Sequence, residues 1–125
     1  MEKKKRKILI IEDEKFLLEM YQGRFEKEGY QVFTAIDGQC GLRLAQKEKP
    51  DLIILDILMP GMDGYEVIRK LKEDNQTKEI TILVLSNLGQ REEVNQGLKL
   101  GADDYIIKTD LTPSELVNKV ERMFK

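Results

Sequence analysis

The stretch PDLIILDILMPGMDG, residues 50–64, decides the fold. Pro50 and Asp51 interrupt the helical pattern before them. Leu52, Ile53, Ile54 and Leu55 then form an unbroken apolar run of strand length. A strand with one face in water alternates apolar and polar residues, whereas a continuous run belongs to a strand covered on both faces. The run stops at Asp56, and a loop from Ile57 to Asp63 carries Pro60 and Gly61. From about Gly64 to Lys72, the residues Val67, Ile68 and Leu71 recur at helical spacing. Strand, loop and amphipathic helix in this order make half of a parallel βαβ unit.

The same unit recurs on both sides. Ile8 to Ile11 is a short β-rich run ending in Glu12, Asp13 and Glu14. A helix over Lys15 to Glu28 follows, with Leu17, Met20, Tyr21 and Phe25 at helical spacing and Gly29 as its stop. Tyr30 to Ala35 alternates like a strand, Asp37 and Gly38 turn the chain, and a helix runs through Leu42 and Ala45 to about Lys49. Downstream, Ile80 to Leu85 is the fourth strand, ending at Ser86. A helix over Arg91 to Leu100 places Val94 and Leu98 four apart and stops at Gly101. Tyr105 to Ile107 is a fifth strand ending at Lys108, and Pro113 opens a last helix that buries Leu116, Val117, Val120 and Phe124. Five strands alternating with five helices predict an α/β, doubly wound parallel sheet with helices on both faces and right-handed crossovers. One domain is expected over residues 8–125, behind a basic tail of residues 1–7.

Composition removes whole classes of function. The chain of 125 residues holds no histidine and a single cysteine, Cys40. Histidine catalysis, an internal disulfide and an ordinary zinc site are thereby excluded, and a metal here is a hard cation held by carboxylates. Net charge is −2, so no global field favours nucleic acid. The run Lys3, Lys4, Lys5, Arg6, Lys7 reads as a solvated tail entering the first strand. No apolar run approaches the roughly 18 residues of a membrane span. Only four apolar residues follow the basic start, too few for a secretory signal, so a cytoplasmic location is expected.

Polar residues sit at the ends of the buried strands: Glu12 and Asp13 after the first, Asp56 after the third, Ser86 after the fourth, Lys108 after the fifth. Ligands of open parallel sheets bind outside that carboxyl edge. Singly, each residue has a plain reading as a turn residue, a helix cap or a surface charge. Jointly they form one crevice in which three clustered carboxylates want a cation. Magnesium suits such sparse carboxylate ligation, and beside a carboxylate it suits phosphoryl transfer. Lys108 would offer a point charge, and Ser86 a hydroxyl, to phosphoryl oxygens.

The stretches ILIIEDE (residues 8–14), PDLIILDILMPGMDG, ILVLS (82–86) and GADDYIIK (101–108) occur in that order. On these stretches the chain resembles a receiver domain of the two-component response regulators, over essentially its whole length. The resemblance implies a flavodoxin-like sheet of order 2-1-3-4-5. It implies a phosphoryl group taken from a phosphohistidine of a partner histidine kinase or phosphotransfer protein, onto Asp56 and with magnesium. Asp13 and Asp56 would bind the ion directly with the Leu58 carbonyl, and Glu12 through water. Ser86 and Lys108 would contact the phosphoryl group, and Tyr105 matches an aromatic switch position. Partner binding, and weak self-association, would use the face of the fourth helix, fifth strand and fifth helix. Such a chain is not an enzyme but a phosphoacceptor with magnesium-dependent self-phosphorylation; slow self-dephosphorylation is expected because Leu58 and Leu88, two residues past Asp56 and Ser86, cannot hydrogen-bond an attacking water. It is expected here as a stand-alone signalling domain.

Two residues depart from the pattern. The family usually has proline after the lysine, in a cis peptide, where this chain has Thr109. A non-proline cis bond costs roughly 2.5–4 kcal/mol, so the loop either keeps that strain or takes another path. The residue after Ser86 is commonly alanine and here is Asn87, able to hinder the phosphoryl group or to bond it. Other readings stay open. A haloacid-dehalogenase-type hydrolase needs a second aspartate two places after the nucleophile, where Leu58 stands. A flavin or nucleotide binder needs a Gly/Ser/Thr-rich first loop, which Glu12, Asp13 and Glu14 replace. A phosphorylation-independent interaction module is the last alternative.

Overall fold

The computed structural model describes residues 6–124. Its elements are β1 (Lys7–Ile11), α1 (Lys15–Lys27), β2 (Gln31–Ala35), α2 (Gly38–Glu48), β3 (Leu52–Leu55), α3 (Gly64–Glu73), β4 (Thr81–Ser86), α4 (Arg91–Leu100), β5 (Asp104–Ile107) and α5 (Pro113–Met123). The five strands form one sheet in the order β2-β1-β3-β4-β5, every pair parallel. Lys7, read with the tail, already belongs to β1, because its backbone pairs with Gln31. Residues 1–5, the rest of the expected tail, lie outside the described residues.

The continuous apolar runs do what such runs require. Ile8, Ile10, Leu52, Ile54, Leu83 and Leu85 point to one face, under α1 and α5. Their strand neighbours Leu9, Ile11, Ile53, Leu55, Ile82 and Val84 point to the other, under α2 and α3. Nearly all of them are sealed from solvent. At about 25 cal/mol per Å² of apolar surface, each such side chain contributes on the order of 2 kcal/mol of transfer free energy.

Local chemistry fixes the helix ends. Asp37 accepts from the Cys40 amide at 2.8 Å, and Asp63 from the Glu66 amide at 3.0 Å, so both serve as N-caps. Thr112 and Glu115 close a reciprocal capping box, with Pro113 at the first turn of α5. Gly29 and Gly101 follow their helices at positive φ, as expected of stops.

Two expected helix faces are corrected. In α1 the buried residues are Leu18, Tyr21 and Phe25, with Leu17 and Met20 only half-buried. The stripe at 18, 21 and 25 is the one that packs on Ile8, Ile10 and Ile54 of the sheet and on Leu116, Val117 and Val120 of α5. In α4, Val94 is half-buried, Leu98 is 41 % exposed, and Gly97 is the buried residue.

Gly64 ties the fold to the strand edge. Its amide donates to the Ile57 carbonyl at 2.8 Å. A Cβ at this position would press on the Asp56 carbonyl and lie 2.6 Å from the Ile57 Cα. Both are backbone atoms that cannot swing aside. Gly64→Ala should therefore destabilise the protein by about 2–3 kcal/mol, as overpacking against an immobile wall does. Urea unfolding will read this as a lower midpoint at unchanged slope.

Candidate functional site at the carboxyl edge of the sheet

The backbone of the site is held by the sheet. The Asp56 amide donates to the Ile11 carbonyl at 3.1 Å, and the Glu12 amide to the Ala35 carbonyl at 3.0 Å. Glu12 and Asp56 are thus fixed one step past β1 and β3, and both are buried. Asp13 stands beside them, exposed. The third acid of the run, Glu14, caps α1 instead, its carboxylate accepting from the Leu17 amide.

One carboxylate oxygen from each of Glu12, Asp13 and Asp56 lies within 4.8 Å of the others. At that separation two carboxylates repel by about 3 kcal/mol at an effective dielectric near 20. Lys108, one residue past β5, answers part of this charge. Its Nζ lies 2.6 Å from Glu12 Oε1 and 3.0 Å from Asp56 Oδ2. Glu12 Oε2 accepts from the Glu14 amide at 3.0 Å, and Asp56 Oδ1 from the Leu58 amide at 3.3 Å. Burial pushes the Glu12 carboxyl above its usual range, and the Asp56 charge adds to this, against the pull of Lys108. Burial alone would lower Lys108, but its hydrogen bonds to Glu12 and Asp56 carry it above the usual lysine range. One ammonium among three acids leaves the cluster short of positive charge. Its donors are all hard oxygens, which fits an ion such as magnesium.

Ser86, the last residue of β4, is fully buried and pairs in register with Ile107. Its Oγ accepts from the Leu88 amide at 3.3 Å. The Leu88 carbonyl in turn accepts from the Tyr105 hydroxyl at 2.7 Å. Tyr105 is buried, its ring turned inward. Leu58 is 56 % exposed and Leu88 half-buried, both on loops leaving the strand ends.

Residues 8–121 match the family model for the response regulator receiver domain. The chain belongs to this family. It is 38% identical over 125 residues to a probable transcriptional regulator, ycf27, of Cyanophora paradoxa, covering 100% of this chain and 51% of that one. It is 38% identical over 120 residues to the alkaline phosphatase synthesis transcriptional regulatory protein PhoP of Bacillus subtilis, covering 96% and 49%. The chain therefore spans about half the length of these curated relatives. Among solved structures, Vibrio cholerae chemotaxis protein CheY4 superposes with a TM-score of 0.87 at 32% identity, over 94% of this chain and 97% of that one. The receiver domain of Francisella response regulator 1452 gives 0.86 at 30% identity, over 95% and 96%.

Of the receiver's expected site residues, Glu12, Asp13, Asp56 and Lys108 come together directly, and the Leu58 backbone abuts Asp56. Ser86 and Tyr105 are linked to each other through Leu88 instead. The path at Thr109 is settled: no described peptide bond is cis, and Lys108–Asp110 form a 3₁₀ turn. The turn still delivers Lys108 to Asp56. Asn87 is exposed. Sequence reasoning missed Tyr65, whose hydroxyl donates to the Glu93 carbonyl at 3.0 Å, and the bridge from Lys108 to Glu12. An aromatic directly after Gly64 gave no distinguishing signal.

Burial, and then the neighbouring Tyr65, push the Tyr105 hydroxyl up to about 12 from an ordinary tyrosine value of 10.0. The folded receiver thus holds this proton more tightly than the unfolded chain. The resulting stabilisation is complete below the unfolded pKa and is lost as pH rises through the folded one. An ultraviolet tyrosinate titration should show a late component near 12 that Tyr105→Phe removes. The variant should also lose stability less steeply over that alkaline range. Loss of an earlier-titrating component instead would place the Tyr105 ring in solvent.

Proposed function

We propose that the chain is a phosphoacceptor signalling domain that takes a phosphoryl group on Asp56 from the phosphohistidine of a sensor kinase or phosphotransfer partner. The observation carrying this reading is the Lys108 ammonium, 3.0 Å from Asp56 and 2.6 Å from Glu12, beside an acid cluster spanning no more than 4.8 Å. A half-buried lysine set against both Asp56 and Glu12 is in place to meet a phosphoryl oxygen, which an interaction module with no phosphoryl chemistry does not require.

An Asp56 carboxylate oxygen would attack phosphorus as the bond to the donor's imidazole nitrogen breaks, and that nitrogen then takes a proton from solvent. Lys108 would exchange a carboxylate oxygen for a phosphoryl oxygen and so meet the charge that Asp56 gives up. Asp13, Asp56 and the Leu58 carbonyl would hold magnesium, with Glu12 behind them. When bound, the ion supplies positive charge to phosphoryl oxygens that three acids would otherwise repel. Ser86 would turn its hydroxyl from the Leu88 amide toward the phosphoryl group. Its departure loosens the loop carrying the Leu88 carbonyl, which is the acceptor for Tyr105. The partner-binding face, and a weak homodimer contact, would then be α4, β5 and α5, the elements that this loop and Tyr105 join.

Intact-mass measurement with a small acyl-phosphate donor tests the reading. One phosphoryl mass should appear with magnesium, little without it, and none on Asp56→Asn. Undiminished labelling of Asp56→Asn would refute it.

Slow loss of the phosphoryl group is part of the same proposal. Water must approach in line, and a polar side chain beside that path can orient it. Leu58 and Leu88 offer no such group. Decay of the phosphorylated protein in excess magnesium should accelerate on Leu58→Asn or Leu88→Glu, by roughly tenfold for about 1.4 kcal/mol of barrier. Unchanged decay in both variants would show that the leucines do not control water.

A further inference from the structure

One buried tyrosine has a hydroxyl that the fold leaves unspent. The hydroxyls of Tyr65 and Tyr105 each donate to a backbone carbonyl. Tyr21, on α1, is only 8 % exposed, yet among the described residues no group bonds its hydroxyl. A buried tyrosine hydroxyl ordinarily finds a partner. Phenylalanine would fill the same place in the core under α1 and α5 with no polar atom to satisfy.

The placement of α1 shows what the hydroxyl stands beside. The helix starts at Lys15, directly after Glu12, Asp13 and Glu14, and helical side chains lean toward the helix N-terminus. The Tyr21 ring therefore leans back toward the carboxyl edge of the sheet. Lys108 reaches the same place from the other side, and Leu111, three residues on, packs on the core that holds Tyr21. The Tyr21 hydroxyl is near enough to feel the charges of Lys108, Glu12 and Asp56, Lys108 most strongly. An ammonium has three N–H donors. Lys108 spends two of them, on Glu12 Oε1 at 2.6 Å and Asp56 Oδ2 at 3.0 Å. Its side chain is 11 % exposed, so water has little access to the third.

We propose that Tyr21 is a positioning residue for Lys108, its hydroxyl oxygen accepting the third ammonium N–H when the lysine exchanges Asp56 for a phosphoryl oxygen. This deepens, and rests on, the reading of Asp56 as phosphoacceptor. A further carboxylate at this place would draw the ammonium away from the phosphoryl group. A phenol oxygen satisfies the spare donor and leaves the charge free to act. Tyr21 works on the transfer only through Lys108.

Intact mass follows the rate of labelling by a small acyl-phosphate donor in excess magnesium, for the unsubstituted protein, Tyr21→Phe, Lys108→Met and the double variant. Tyr21→Phe keeps the ring, so the core stays filled. It should slow labelling of Asp56 roughly tenfold, the factor that one hydrogen bond to a charged group carries. Beside Lys108→Met the same change should leave the rate unaltered, whereas a loss through packing alone would appear in both backgrounds. Slowing in both backgrounds, or none with Lys108 present, overturns the proposal and leaves Asp56 as the acceptor. An unsubstituted protein that takes no label on Asp56 overturns both readings. A second measurement needs no change at Lys108. In the phosphorylated protein, exchange of the Lys108 ammonium protons with water, read from their ¹⁵N resonance, should quicken roughly tenfold in Tyr21→Phe. Exchange as slow as in the unsubstituted protein would overturn the proposal.

Discussion

A strand covered on both faces has nowhere to put a charge except at its ends, and that constraint organises this molecule. Successive residues of β1, β3 and β4 are committed to two separate cores, one under α1 and α5 and the other under α2 and α3. Polar chemistry is therefore driven to the strand termini. Because all five strands run parallel, their carboxyl ends lie at one edge. Glu12, Asp56, Ser86 and Lys108 are neighbours for that reason, although they are far apart in the chain.

At that edge the sheet also supplies precision. Ladder hydrogen bonds hold the backbones of Glu12 and Asp56, and Gly64 lets the start of α3 press on the backbone just past Asp56. A rigid cluster of carboxylates is a poor resting state, since their repulsion is not relieved by water where Glu12 and Asp56 are buried. Lys108 relieves it partly, engaging two of the three acids. The same ammonium is then in place for a phosphoryl oxygen, so the resting ion pair and the proposed reactive contact are alternative uses of one charge.

The side of the molecule that would respond is built to the opposite standard. Two helices of the second core, α3 and α4, differ in attachment: α3 buries Val67, Ile68 and Leu71, whereas α4 buries only Gly97 and rests on half-buried Val94 and Leu100 with two phenol hydroxyls beside it. Apolar burial is strong and non-directional, whereas a pair of hydrogen bonds has few alternatives and is lost in discrete steps. The line Ser86–Leu88–Tyr105 joins the site edge to the start of this helix within a few residues.

The strands, their order of appearance and the polar residues closing them were legible in the sequence, because double-sided burial demands continuous apolar runs such as Leu52 to Leu55 and forces the break at Asp56. The helix caps at Asp37, Asp63 and Thr112 are local too, but the sequence reading marked there only a turn at Asp37 and Gly38, a loop ending at Asp63 and a helix opening at Pro113. What spacing could not determine was which turn of an amphipathic helix faces inward. Leu18 displaced Leu17 in α1, and Gly97 displaced Val94 and Leu98 in α4, because helix rotation is set by the surface it lands on. Nor could it determine that Lys108 reaches Glu12 as well as Asp56 through a trans path at Thr109, or that Tyr65 and Tyr105 meet over one glycine. Those contacts join residues separated by dozens of positions, and only the packing of the sheet and its helices brings them within a few ångströms.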